Sequence, residues 1–444
     1  MFLFIPCQVG CERVLKEEIR ELYNFNSAFS RAGFVTFKVP DELCVDDGGE
    51  TIRLLMTHLA NNSIFARTVS IFLGKLYMSG DFEIPETEHV TATSQSGCSR
   101  TKHTDHTSLN ISAENLVESI WQLISAPKPA APIGYGISSA VSQPKYFINR
   151  VHVFSRDCLM TGQNGFEPAV SSDLVELHSK LVSGCPFPKF LGVGSERFDQ
   201  PAFVGETVLD VVRVDVDSYT QVNSKFPKLN METQQCEAVV QEQILTPIPA
   251  SVYFVGVHFV TEESPIHSLY SGGILPIQLP TDAVSRAWLK FEEGLRWSGI
   301  SIDAGASCVD IGAAPGGGSQ VLLSRGAIVL GVDPAEVAPI VLNNPNFKHI
   351  RGRINQTQRF LYKNVRWVIA DINVAPKYTL DVLEDVLKYN SKINGMLFTL
   401  KLSTLELAKH IPQFVKRIRK WDFNNIKVKQ LVFNRHEVMV AVKK

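Results

Sequence analysis

Apolar Val14, Leu15, Ile19 and Leu22 recur at helical spacing while Glu17, Glu18 and Glu21 fill the other side, which predicts a helix over 11–23. Short apolar runs predict strands at 2–5 and 33–39. A helix over 51–59 and a strand over 70–76 complete a compact α+β module over 1–80. From 86 to 144 the pattern gives way to Thr, Ser, His, Pro and Gly, broken by one helix over 113–124. The Pro-rich run 126–132 is expected to be a surface connection. Strands follow at 151–154, 208–216 and 251–260, the last alternating through Tyr253, Val255, Val257 and Phe259. Residues 81–280 are therefore expected to form a second, β-rich module.

The pattern changes again near residue 281. A helix over 282–297, capped by Thr281 or Asp282, would turn Val284, Trp288, Phe291 and Leu295 inward. Strands at 327–333, 365–371 and 396–401 then alternate with helices at 379–389 and 405–421. The last helix has Ile411, Phe414, Val415, Ile418 and Trp421 on one face and Lys416, Arg417, Arg419 and Lys420 on the other. Two final β-runs, 427–433 and 437–442, close the chain. Such alternation predicts an α/β domain over 281–444, a doubly wound, mostly parallel sheet with an antiparallel pair at one edge.

Within that domain Cys308-Val309-Asp310-Ile311-Gly312-Ala313-Ala314-Pro315-Gly316-Gly317-Gly318-Ser319-Gln320 is a strand, a tight turn and a helix start, the arrangement that brings backbone close to a nucleotide-like ligand. It is not the dinucleotide fingerprint, because Ala314 stands where the second glycine would and Pro315 follows. Ligands of open α/β sheets sit beyond the carboxyl ends of the strands. Here those ends carry Asp310, then Asp333 about 20 residues past the loop and placed for ribose hydroxyls, then Asp371 and Lys401. Each has a bland alternative: a helix cap for Asp333, a turn contact for Asp371, a solvated strand end for Lys401. Four polar strand ends for four separate reasons is the weaker explanation.

The formal net charge of −1 conceals an asymmetry. Residues 283–444 hold 24 Lys and Arg against 13 Asp and Glu, and the rest of the chain holds 20 against 32. A basic working surface on the C-terminal part follows. Eight scattered cysteines point to reduced thiols and a cytoplasmic setting rather than a disulfide framework. The N-terminal MFLFIPCQVG lacks the positive lead-in of a signal peptide, and no apolar run reaches the ~18 residues of a membrane span. Cys98, His103 and His106 are too few, at unhelpful spacing, for zinc, so no metal site is expected.

Asp-Ile-Gly-Ala-Ala-Pro-Gly-Gly followed by Gly-Val-Asp resembles the S-adenosylmethionine site of FtsJ-type RNA 2′-O-methyltransferases. That family carries a Lys-Asp-Lys-Glu tetrad. The resemblance implies Lys290, in Ser-Arg-Ala-Trp-Leu-Lys-Phe-Glu-Glu, with Asp371, Lys401 and Glu437, in Asn-Arg-His-Glu-Val-Met-Val, as the catalytic residues. It also implies S-adenosyl-L-methionine as cofactor, held by Ser285, Asp310, Gly312, Ala314, Pro315, Gly316, Gly317, Asp333 and Asp371. The likeness is best over 206–444 and points to members acting on large-subunit ribosomal RNA. Further upstream, Pro-Cys-Gln-Val-Gly-Cys-Glu resembles the start of a ferredoxin-like and THUMP region, which implies RNA-docking modules ahead of the catalytic domain. The tetrad and loop speak for the reaction and not for the nucleotide modified; tRNA, another RNA, or an idle RNA-binding or ribosome-assembly factor are the alternatives.

One departure stands out: Arg353 falls where the family places an acid for the adenine amino group, leaving backbone or Asn355 for that contact. Lys401 is the expected general base or hydroxyl-orienting group. Burial and Lys290 would push it down, Asp371 and Glu437 up. Arg351, Arg353, Arg359, Lys363 and the group Lys416, Arg417, Arg419 and Lys420 are the expected phosphate contacts.

Overall fold

The computed structural model describes residues 1–43, 49–78, 108–111, 115–125, 145–156, 172–215 and 251–444. The connection at 126–132 and the Cys98, His103 and His106 group lie outside the described residues.

The first part of the chain runs β1 (Phe2–Pro6), α1 (Glu12–Tyr23), β2 (Asn26–Arg31), β3 (Phe34–Lys38), α2 (Glu50–Asn62), β4 (Ser70–Met78) and β5 (Ser108–Ile111). It continues with α3 (Leu116–Ser125), β6 (Arg150–Ser155), α4 (Ser172–Ser183), β7 (Thr207–Asp215) and β8 (Ser251–Phe259). These strands form one sheet in the order β2-β3-β1-β4-β8-β7-β6, with β5 beside β4. The stretches 1–80 and 81–280 thus share a sheet. β4 pairs antiparallel with β8, Ile71 opposite Val257 and Tyr77 opposite Val252, so β4 is not left as a bare edge. β2 and α4 escape the sequence pattern. β2 is a polar strand with no fully buried residue, whereas α4 carries a helical stripe at Leu174, Leu177 and Leu181 that was there to be read.

The second part runs α5 (Ala287–Ser298), β9 (Ser307–Ile311), α6 (Gly317–Leu323), β10 (Ile328–Asp333), α7 (Pro339–Leu342), β11 (Phe347–Arg351) and β12 (Trp367–Ala370). It ends with α8 (Pro376–Tyr389), β13 (Gly395–Lys401), α9 (Ile411–Ile418), β14 (Asn425–Lys429) and β15 (Glu437–Lys443). The sheet order is β11-β10-β9-β12-β13-β15-β14. The first five are mutually parallel and β15 is antiparallel to both its neighbours. Alternate residues feed opposite cores. Cys308 and Ile369 pack with Phe291, Val321 and Leu322, while Val309 and Val368 pack on the side of Leu380, Leu383 and Ile418. Helices cover both faces, as a parallel sheet requires. The order reverses between β9 and β12, which opens a crevice at their carboxyl ends.

Two expected helices differ. α5 begins at Ala287 rather than 282, because Gln320 takes the preceding segment: its Oε1 accepts from Val284 N at 2.8 Å and its Nε2 donates to Asp282 O at 3.0 Å. The span 405–421 is a 3-10 turn, Leu405–His410, followed by α9, with Pro412 in the first turn, where its missing N–H costs nothing. Among the described residues no helix is long and apolar enough to cross a membrane.

Candidate active site

Four charged side chains meet where β12, β13 and β15 end or begin beside α5. Lys290 Nζ, carried by α5, lies 3.0 Å from Asp371 Oδ2 and 2.8 Å from Glu437 Oε1. Lys401 Nζ, the last residue of β13, donates to Asp371 Oδ1 at 2.5 Å and to Glu437 Oε2. Antiparallel pairing sets Lys401 directly opposite Glu437, so register alone brings those two together. Asp371 follows β12 by one residue and accepts a further hydrogen bond from Thr399 Oγ1 at 2.7 Å. The four form a closed, alternating ring with no net charge, the arrangement in which buried ions are tolerated.

The ring sets its own protonation. Burial alone would raise the Asp371 carboxyl, yet Lys290 and Lys401 hold it down at about 2. Burial would likewise lower Lys401, but Asp371 and Glu437 outweigh it and push the ammonium above its ordinary value. Lys401 therefore stands charged at neutral pH.

A cavity of about 510 Å³ adjoins the ring, within the range of small-molecule sites. Ser285, Asp310, Gly312, Ala314, Pro315 and Gly317 line it together with Lys290, Asp371, Lys401 and Glu437. Gly312 has φ +84°, and a Cβ there would meet the Asp371 carbonyl oxygen at 2.8 Å. A Cβ on Gly317 would meet Ser285 Oγ at 2.2 Å. Side chains are excluded at both points so that the loop can close on its neighbours. Asp310 is buried and accepts from Ser319 Oγ at 2.7 Å; burial first, then Asp371 and Asp333, push its carboxyl up to about 7. Ser285 Oγ is buried with no hydrogen-bond partner. A buried hydroxyl on a cavity wall without a partner is what a ligand donor or acceptor would satisfy.

Two of the expected loop residues sit elsewhere. Gly316 precedes α6 and faces Val341 rather than the cavity. Asp333 ends β10 as expected, but its oxygens accept from Ala314 N at 3.2 Å and Ala335 N at 2.7 Å, holding the loop rather than lining the cavity. Arg353 is exposed just beyond β11, also away from the cavity. Among the expected phosphate contacts, Lys363, Lys416, Arg419 and Lys420 are exposed, and Arg351 pairs with Glu336 at 3.2 Å. Arg417 braces α9 to α8 through Glu384 and Asp381 at 2.7 and 2.6 Å, and the side chain of Arg359 lies outside the described set. Sequence reasoning gave no role to Asn373, Ser403, Arg435 and His436, which also line the cavity. His436 has φ +52°, uncommon without glycine, a conformation that accumulates at functional sites. Its position between Arg435 and Glu437 was the available signal.

The C-terminal part of the chain is similar to known proteins. "Ribosomal RNA large subunit methyltransferase M" of Aeromonas salmonicida is 30% identical over 190 residues, 40% of this chain and 51% of its own. Its Tolumonas auensis counterpart is 26% identical over 200 residues, 43% and 53% of the two chains, and that of Photorhabdus laumondii 25% over 241, 49% and 63%. The chain thus spans about half the length of the curated relatives it matches. Residues 283–437, which hold the glycine loop and all four charged side chains, match the model of the FtsJ-like methyltransferase family.

Proposed function

We propose that this protein transfers a methyl group from S-adenosyl-L-methionine to a ribose 2′-hydroxyl of RNA, in the large-subunit ribosomal RNA. The observation that carries the reading is the Lys290–Asp371–Lys401–Glu437 ring opening onto the glycine-loop cavity. The relatives named for large-subunit ribosomal RNA methylation supply the target. Residues 281–444 are the catalytic unit in this reading, and the first sheet, the expected ferredoxin-like and THUMP-like region, docks the RNA.

The cavity suits the cofactor: its size, the unpartnered Ser285 hydroxyl and the glycines that admit no Cβ all fit a bound nucleoside. Ser285, Asp310, Gly312, Ala314, Pro315 and Gly317 would hold it, with Asp333 and Gly316 acting one step back through the loop. S-adenosyl-L-methionine supplies a methyl on a sulfonium, so the sulfur leaves neutral as the new carbon–oxygen bond forms. The protein's task is then alignment, which can supply roughly 7–11 kcal/mol, and control of the hydroxyl proton.

An ammonium has three donors, and two of those on Lys401 are engaged by Asp371 and Glu437. The third orients the attacking hydroxyl by donating to its oxygen, and its positive charge stabilises the oxyanion character that develops there. The proton itself leaves to water. A neutral Lys401 acting as base would have to fall about three units from ~10.4, roughly 4 kcal/mol, against the pull of both carboxylates. Lys290 and Glu437 hold Asp371 and Lys401 in place.

The test is transfer of labelled methyl to large-subunit ribosomal RNA transcribed in vitro, with the product mapped by its resistance to alkaline cleavage. Wild type should label a ribose. Lys401→Ala should label none while binding S-adenosyl-L-methionine as before; near-normal turnover in that variant would sink the assignment.

A further inference from the structure

The Pro6-Cys7-Gln8-Val9-Gly10-Cys11-Glu12 stretch stands out in the sequence but has no part in the chemistry above. It connects β1 to α1 in the first sheet, and it is tightly held. Glu12 Oε1 accepts from Gly10 N at 3.0 Å and Gly33 N at 2.5 Å, Cys7 N donates to Gly33 O at 3.0 Å, and Arg67 N donates to Pro6 O at 2.9 Å. From this loop Gln8, 5% exposed, reaches across 426 positions of sequence to donate from Nε2 to the Asn434 carbonyl oxygen at 3.0 Å. Asn434, fully buried, donates from Nδ2 to Glu437 Oε1 at 3.0 Å. That oxygen is the one Lys290 also contacts.

The end of β14 and the segment leading to β15 are fastened at other points too. Lys429 Nζ donates to the Ala60 and Ser63 carbonyl oxygens, both at 2.9 Å, and Gln430 N donates to Ile64 O at 2.8 Å. From the catalytic side, the fully buried Glu293 of α5 accepts from Val432 N at 3.1 Å and Phe433 N at 3.0 Å. The stretch leading into Glu437 is therefore clamped between the two sheets.

We infer that Gln8 and Asn434 are positioning residues for the methyl-transfer site, so that the first sheet fixes the last member of the charged ring as well as docking RNA. The inference rests on the reading of that ring given above. Glu437 has one oxygen on each lysine, and a carboxylate free to rotate would satisfy one at the expense of the other. Asn434 locks its rotation, and Gln8 locks Asn434. Loss of either should loosen the geometry of Lys401 without touching the glycine loop, which lies on other strands.

The experiment uses the full chain, labelled S-adenosyl-L-methionine and in vitro transcribed large-subunit ribosomal RNA. Gln8→Met keeps the shape and removes the donor, and its kcat should fall about tenfold, the effect of one lost hydrogen bond. Asn434→Asp sets an acceptor against Glu437 and should lower kcat about a hundredfold. In both, KM for RNA and Kd for the cofactor should stay within twofold of wild type, a split that a general loss of packing would not produce. Wild-type kcat in both variants overturns the inference while leaving the reaction intact, and so does an equal loss of cofactor affinity alongside kcat. A wild-type protein that labels no RNA overturns the functional reading and the inference together.

Discussion

Lys429 is buried to 4% exposure in the joint between the two sheets, and replacing it with Met should change how the fold responds to pH. Its Nζ donates to two carbonyl oxygens, yet burial outweighs the pull of Glu18 and pushes the ammonium down to about 8. Burial also pushes the Glu18 carboxyl up, so both partners are drawn toward their neutral forms. A lysine depressed in the folded state holds its proton less tightly there than in the unfolded chain, where it titrates near ~10.4. Between those two values the unfolded chain binds more protons, so stability rises with pH across that window. The whole window is worth about 3 kcal/mol, and integrating only from pH 7 to pH 9 leaves about 1 kcal/mol. The assay is urea unfolding, followed by tryptophan fluorescence in reductant, at pH 7 and pH 9. Wild type should gain about 1 kcal/mol more than Lys429→Met over that interval. The variant's own slope should be flat or falling, because Glu18 without its cation titrates higher and works in the opposite sense. Equal slopes would refute a buried, depressed lysine at the joint.

Gly312→Ala combines a left-handed backbone with a Cβ at 2.8 Å from the Asp371 carbonyl, so something must shift. The backbone contributes roughly 1–2 kcal/mol and the overpacking roughly 1–3, giving a measurable drop in melting temperature and weaker cofactor binding by calorimetry. Arg417→Ala should cost roughly 1 kcal/mol at pH 7, since its pairs with Glu384 and Asp381 are partly solvated. Arg417 holds Glu384 below the usual carboxylate range, so that loss should fade as pH falls through the carboxylate region, and a pH-independent loss would point to packing instead. Replacing exposed Lys416, Arg419 and Lys420 by Ala should reduce the slope of log RNA affinity against log salt by roughly two; an unchanged slope would move RNA off that face.

The C-terminal domain was legible because a parallel sheet displays its polar residues at strand ends. Asp371 and Lys401 each close an apolar run and Asp310 stands one residue before the end of β9, and strand periodicity places such residues without knowledge of anything packed behind them. Ser285 and Lys290 were harder, since their positions depend on where α5 starts, and Gln320 decides that from 36 residues away. Glu293 lay beyond pattern reading altogether. A glutamate beside another in an amphipathic helix suggests a solvated face, yet it is fully buried because three donors converge on it: the N–H groups of Val432 and Phe433, and His267 Nε2 at 3.2 Å. Asp333 stands at the expected strand end, where its oxygens accept from the Ala314 and Ala335 N–H groups, contacts that strand periodicity does not announce. Gln8 and Asn434 complete the contrast. Neither stands in a periodic pattern, and their contact joins the two ends of the chain, so no local rule could pair them. Residues that meet a ligand are announced by the sheet that carries them, whereas residues that hold those side chains still belong to whichever surface happens to pack against them. For this protein that surface is the other sheet.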